Sequence, residues 1–157
     1  MIDTQELLDA AVRHPLPAGY VCSADPGRFD ADLVHRWLST DAYWAMGRSR
    51  EAQAQMLAGS LVYGVYEEET GAQVECARVV TDLAAFAYLC DVYIAPDARG
   101  RGLGTSFVAA VLADVVQRAP HGMHHVLLAT HNAHGVYAKL GFTPLPRPEQ
   151  WMVLGSS

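Results

Sequence analysis

The sequence predicts an α/β domain of the α+β type, built on a mixed and mostly antiparallel sheet. Three observations predict it. Between Ser60 and Ile94, three segments rich in β-branched and aromatic residues are separated by short polar turns, the pattern of an antiparallel meander. The third of these runs through a glycine-rich turn into an amphipathic stretch and then into another apolar segment, and a strand re-entered after a helix lies parallel to the one it left. Most of the remaining helical periodicity is gathered ahead of the second strand rather than alternating with strands throughout.

The elements follow in order. Thr4 to Arg13 reads as a helix, with Leu7, Leu8, Ala11 and Val12 at helical spacing and Asp3 or Thr4 able to cap it. His14-Pro15-Leu16-Pro17 ends it, because proline cannot continue the ladder. Tyr20-Val21-Cys22-Ser23 is a first strand and Asp25-Pro26-Gly27 a turn. Asp30 caps a second helix whose stripe is Leu33, Val34, Trp37 and Leu38, ending near Thr40. Tyr43, Trp44 and Met46 lie in a connection, and Arg48 to Ala58 is a third helical run closed by Gly59. The meander strands are Ser60 to Glu67, Gln73 to Thr81 and Phe86 to Ile94. The last is almost wholly apolar, which predicts burial on both faces at the sheet centre. Gly102 to Gln117 carries the stripe Phe107, Val108, Val111, Leu112, Val115 and Val116. His124 to Thr130 is a fifth strand, and His131 to Leu140 a helix with Gly141 at its C′ position. Phe142 onward is a sixth strand, and Gln150 to Leu154 a last one.

At 157 residues the chain fits one domain, residues 1–157, with 1–14 as an N-terminal helical extension. No signal-peptide pattern opens it, and no uncharged apolar run approaches the length of a membrane span. Cys22, Cys76 and Cys90 are odd in number and set in apolar segments, the pattern of reduced thiols in a cytoplasmic protein rather than a disulfide framework. The net charge of −6 supplies no basic field for nucleic acid. Seven histidines include His131 and His134, three apart, and His121, His124 and His125 around a strand. No cysteine or carboxylate completes a zinc spacing with them, so no metal is expected.

The chemistry concentrates in Arg99-Gly100-Arg101-Gly102-Leu103-Gly104-Thr105. Alternate glycines let the backbone approach a ligand and aim several N–H groups one way. A helix opening there adds unpaired first-turn amides and the positive end of its dipole, which suits a phosphate or pyrophosphate.

The strand Phe86–Ile94, the turn Arg99-x-x-Gly102-x-Gly104 and the helix after it resemble the acetyl-CoA motif of the GNAT (Gcn5-related) N-acetyltransferases. Asn132-Ala133-His134-Gly135-Val136-Tyr137-Ala138-Lys139-Leu140-Gly141-Phe142 is similar to that family's later helix, in which a tyrosine precedes a Gly-Phe pair. The two motifs lie at family spacing with one strand between, and the order of elements fits from Tyr20 to Leu154. A dinucleotide-binding reading fits less well, since the strand before the turn follows an antiparallel meander and no acidic residue ends the next strand. No Gly-Lys-Ser/Thr follows for a P-loop.

The resemblance implies a sheet splayed between its fourth and fifth strands, helices on both faces, and acetyl transfer from acetyl-CoA directly to an amine. It implies that the amides of Arg101 to Thr105 seat the pyrophosphate, with Arg99 or Arg101 adding charge and Gly100 shaping the turn. It also implies main-chain contacts from Val92, Tyr93 and Ile94 to the pantetheine arm and the thioester carbonyl. Asn132 matches a residue that bonds the arm; as the cap of the helix before Ala133 it has an equal structural use. Tyr137 matches the general acid for the departing thiolate, and a phenol of pKa about 10 is protonated and able to donate at neutral pH. Asp91 is the one charged residue in its apolar strand. A buried carboxylate needs a partner or a task, so base, substrate anchor and structural hydrogen bond all stand open. Glu75 on the neighbouring strand is a lesser candidate base. Tyr43 and Trp44 lie where the family's helix pair covers the acceptor, and His134 is a candidate polar group at the acceptor mouth. The expected partners are acetyl-CoA and a small amine, with no nucleic acid and no membrane, and a homodimer is in keeping with the family. A peptide N-acetyltransferase and a non-catalytic acetyl-CoA-binding regulatory module are the alternatives.

Overall fold

The structure, a computed structural model, describes residues 1–155; the last two residues of the expected domain lie outside them. Five strands form one sheet in the order β1 (Tyr20–Ser23), β2 (Leu61–Glu67), β3 (Gln73–Thr81), β4 (Phe86–Ile94) and β5 (His125–Leu127). Neighbours are antiparallel except β4 and β5, which are parallel. Helices α1 (Thr4–Arg13) and α4 (Leu103–Arg118) cover one face with α5 (His134–Ala138) beside them. Helix α2 (Ala31–Asp41), followed by α3 (Arg50–Ala58), covers part of the other. This is the mixed, mostly antiparallel sheet with helices on both faces.

The apolar stripe of α4 buries all six of its expected residues, and Phe107 and Val111 are fully enclosed. Leu7, Leu8, Ala10 and Ala11 of α1 pack against the same core, so the N-terminal helix is docked on the sheet-covering layer. The expected caps form. Asp3 accepts from the Glu6 amide at 3.2 Å and Asp30 from the Leu33 amide at 3.0 Å. Helix α3 starts two residues later than expected, because Ser49 caps it by accepting from the Ala52 amide at 3.1 Å, which leaves Arg48 free to turn inward.

Three expectations are corrected. Strand β4 is not buried on both faces: Ala87 and Leu89 are enclosed, whereas Phe86 and Tyr88 are exposed. The α2 layer covers Cys76 and Tyr93 but stops short of this end of the sheet. Strand β5 is shorter than His124–Thr130, and it pairs with β4 only from Phe86 to Tyr88. Finally, neither Phe142 onward nor Gln150–Leu154 forms a strand. Pro144, Pro146 and Pro148 remove alternate ladder donors, Arg147 takes φ 50°, and Pro148–Gln150 is a single helical turn.

One buried group works against stability. Glu75 is fully enclosed on β3, beside Val65 of β2 and Ile94 of β4, and neither carboxylate oxygen has a hydrogen-bond partner among the described residues. Burial pushes its carboxyl up to about 9 from 4.5. Between those values the folded chain holds a proton that the unfolded chain has lost, so stability falls as pH rises across that window. Glu75→Gln cannot ionise. It is expected to be more stable than the parent by about 3 kcal/mol at pH 7, by an advantage that is near zero at pH 4 and grows toward pH 9. Denaturant unfolding at pH 4, 7 and 8.5 checks this, and a pH-independent difference would refute it.

Candidate active site

The glycine-rich turn is built as an open cradle. Gly100 and Gly102 have φ of 78° and 77°, conformations that side chains resist, and a Cβ at either would meet nothing within 4 Å. Gly102 is the N-cap of α4 and offers no side chain to its first-turn amides. The Leu103 side chain is in the core, so only its amide is available, and Ser106 turns back to donate to the Gly102 carbonyl at 2.8 Å. The two arginines diverge. Arg101 donates to the Tyr20 phenol at 2.7 Å on the β1 side. Arg99 donates to the Ile94 carbonyl at 3.1 Å, reaches Asp41 at 3.3 Å and lies over the Tyr93 ring.

Past Tyr88 the β4 and β5 chains part. Among the described residues the outer edge of β4 from Leu89 onward has no strand partner, and a cleft of ≈ 720 Å³ opens there. Asp91, Val92, Tyr93, Arg99, Asn132, Tyr137, Tyr43 and Trp44, scattered over almost a hundred residues of sequence, all line it. His134 does not; it is exposed at the start of α5, and His131 takes the position on the wall instead. Asn132 does not cap α5 either. The Thr130 hydroxyl accepts from the Ala133 amide at 3.1 Å, which leaves the Asn132 side chain to the cleft.

Tyr137 stands on α5 with its ring buried. Its hydroxyl has no protein hydrogen-bond partner among the described residues. Gly141, at φ 94°, turns the chain so that Phe142 folds back: its amide donates to the Tyr137 carbonyl at 3.2 Å and its ring meets Tyr137 edge-on at 5.7 Å. That is the physical use of the Gly-Phe pair. Burial, with the nearby Tyr43 phenol second, raises the Tyr137 pKa, so the group is a protonated donor throughout the neutral range.

Asp91 occupies a bulge. Cys76 of β3 pairs with Tyr93 and Arg78 with Cys90, so β4 carries one extra residue between them, and Asp91 takes φ 53° there. The bulge swings its side chain to the α2 and α3 side. Arg48 forks onto both carboxylate oxygens at 2.8 and 3.2 Å, Arg78 donates at 2.9 Å, and the Trp44 indole donates at 2.8 Å. Burial pushes the Asp91 carboxyl up; the hydrogen bonds from Arg48, Arg78 and Trp44 outweigh it and hold the group below the usual carboxylate range. Asp41, also on the cleft wall, is held low by the Tyr93 hydroxyl that donates to it and by Arg99.

Arg48, Arg78, Asp41, Tyr88 and His131 are site residues that sequence reasoning missed. One signal was present for Arg78: it is the one basic residue in the three meander strands, Asp91 is the one charged residue of the adjacent strand, and such pairs find each other. Tyr43 closes the mouth. Its ring meets Trp44 edge-on at 5.0 Å and His131 at 4.8 Å, and its hydroxyl accepts from the His131 amide at 3.3 Å. Among the described residues no group of three His, Cys, Asp or Glu side chains converges to hold a metal ion, and no helix is long and apolar enough to cross a membrane.

Comparison with known proteins places this geometry. A family model described as an acetyltransferase (GNAT) domain matches residues 58–144, from the end of α3 to just past Phe142. A Gibberella zeae protein named as an acetyltransferase is 30% identical, with 78% of each chain covered. The crystal structure of a Xanthomonas campestris pv. campestris protein assigned to the GNAT family is 36% identical, with a TM-score of 0.76 over 90% of this chain and 96% of that one. A Staphylococcus aureus protein at 16% identity shares the fold, with a TM-score of 0.68 over 87% of this chain and 99% of that one. With a family model over more than half of the chain and sequence similarity across most of it, the protein is an acyltransferase enzyme and belongs to the GNAT acetyltransferase family.

Proposed function

We propose that the protein transfers the acetyl group of acetyl-CoA directly to the amine of a small molecule. The observation that carries this reading is the unpartnered Tyr137 hydroxyl on a cleft whose opposite wall is the unpaired edge of β4. Acetyl-CoA, when bound, supplies an activated acetyl thioester. The residues present fit it: the amides of Arg101 to Thr105 would hold the pyrophosphate, aided by the open space around Gly100 and Gly102. Arg99 adds positive charge beside the cleft, and Asn132 bonds the arm. The main chain of Val92, Tyr93 and Ile94 supplies donors and acceptors along the open strand edge. Tyr137 gives its proton to the departing sulfur.

Direct transfer is supported by Cys90, the one thiol on the cleft wall. Burial pushes it up to about 11, so it is protonated and a poor nucleophile at neutral pH. An acceptor ammonium of pKa about 10.4 must shed its proton to solvent in the cleft before attack. Asp91, already accepting from three side chains and held low, is a poor base; we assign it the task of holding the acceptor wall.

Tyr137→Phe tests the reading. The ring and its contact with Phe142 stay, and only the proton donor is lost. We expect kcat to fall by about a hundredfold while acetyl-CoA still binds by calorimetry. A kcat within a factor of about three of the parent would remove Tyr137 from the acid role.

A further inference from the structure

The acceptor end of the cleft is aromatic and short of free negative charge. We infer that the acceptor is a monoamine carried on an aromatic or apolar body, and that Tyr43, Trp44 and Tyr88 seat that body. This rests on the acetyl-transfer reading above and specifies its substrate class.

Large apolar side chains are usually enclosed, yet here Tyr43, Trp44 and Tyr88 are 53%, 43% and 38% exposed and all face one cleft. Their neighbours continue the surface. Phe86 shares the open face of β4 with Tyr88, and Val80 of β3 stands directly opposite Tyr88; each is 38% exposed. The patch exists because the α2 layer ends before it. Trp44 is not loose there, since its indole is tied to Asp91 at 2.8 Å, and Tyr43 is tied to the His131 amide. A wall held in place costs little ordering when a ring lies against it.

The charges exclude the other amine classes. Among the described residues two carboxylates line the cleft, and both are already paired, Asp41 with Arg99 and the Tyr93 hydroxyl, Asp91 with Arg48, Arg78 and Trp44. A second ammonium on a polyamine, or the flanking charges of a basic peptide, would lose water and gain no partner. Arg48 and Arg78 set against the single charge of Asp91 leave a net positive charge behind the wall, which further disfavours a dication. Neither guanidinium lines the cleft, and Arg99, which does, is taken up by the Ile94 carbonyl and Asp41, so none of the three is set to receive an acceptor carboxylate.

The test compares release of CoA with 2-phenylethylamine, n-propylamine, spermidine, phenylalanine and a lysine-containing basic peptide. The expected kcat/KM for 2-phenylethylamine exceeds that for each of the others by about tenfold or more, the worth of seating one ring. Tyr88→Ala, which breaks no hydrogen bond among the described residues, is expected to cut the ratio of 2-phenylethylamine to n-propylamine severalfold, and Tyr88→Phe to keep it. Preference for spermidine or the peptide, preference for phenylalanine, or a ratio near one would overturn the inference and leave acetyl transfer to amines intact. Acetyl-CoA binding without CoA release on any amine would overturn the acetyl-transfer reading itself, and the inference with it.

Discussion

Gly102→Glu is expected to reduce acetyl-CoA affinity about a thousand-fold. Gly102 is the N-cap of α4, with φ of 77° and nothing within 4 Å of the place where its Cβ would stand. A glutamate there puts a carboxylate where the first-turn amides converge, so the helix end binds its own side chain and presents a negative charge to the pyrophosphate. Two unit charges about 4 Å apart near a protein surface repel by roughly 4 kcal/mol, which is about three decades in affinity. Backbone strain adds to this, because a residue with a Cβ resists positive φ. Two companions separate the causes. Gly102→Ala carries the strain without the charge, and is expected to cost far less affinity. Gly104→Glu carries the charge without the strain, since Gly104 is helical and its Cβ would make an ordinary 3.6 Å contact with Ile94, and it is expected to approach the full loss. Calorimetric titration with acetyl-CoA, with thermal melting to confirm folding, reads all three. Near-parental affinity in both glutamate variants would take the pyrophosphate away from this turn.

That turn was legible in the sequence because its chemistry is local. Glycine spacing, a strand before it and an apolar stripe after it lie within thirty-odd residues, and each obeys a short-range rule: positive φ at Gly100 and Gly102, helical periodicity from Phe107 to Val116. The same holds for the presence of the Tyr137 helix and the Gly141 turn behind it, although that helix spans His134–Ala138 and not His131 to Leu140. What was not legible depends on the third dimension. The apolar run Phe86–Ile94 looks buried on both faces, and only the extent of the α2 layer decides that Tyr88 is open. The bulge at Asp91 is invisible in a one-dimensional alternation, yet it decides which face the carboxylate serves and so which arginines it meets. Arg48 reads as the first residue of a helix until Ser49 takes the cap. The C-terminal segments carry strand-forming residues, but Pro144, Pro146 and Pro148 outweigh that propensity. His131 and His134 cannot be told apart by spacing alone, and only the short length of α5 puts one on the wall and the other outside it.

Asp91→Ala is expected to destabilise the protein by about 3–5 kcal/mol, the cost of leaving a buried ion-pair network without one partner. The carboxylate is the shared acceptor of Arg48 and Arg78, whose side chains are 12% and 13% exposed, and of the Trp44 indole; alanine would strand all three and also place a Cβ-bearing residue without a local hydrogen bond at φ 53°. Because the folded-state pKa of Asp91 lies below the unfolded one, its contribution is present above the ordinary carboxylate pKa and is lost as pH falls through the folded value. The gap between parent and Asp91→Ala in denaturant unfolding is therefore expected to be constant from pH 6 to 8 and to shrink under strong acid. Asp91→Asn keeps a side chain that tolerates positive φ and can still accept from Trp44 and one arginine, so it should recover part of the loss. It also separates positioning from catalysis. If Asp91 holds the wall that carries Trp44, the Asn variant raises KM for the amine more than it lowers kcat, and the pH profile of kcat keeps its shape. A collapse of kcat together with loss of an acidic limb from that profile would instead make Asp91 the base, against the reading that its three donors leave it no basicity to use.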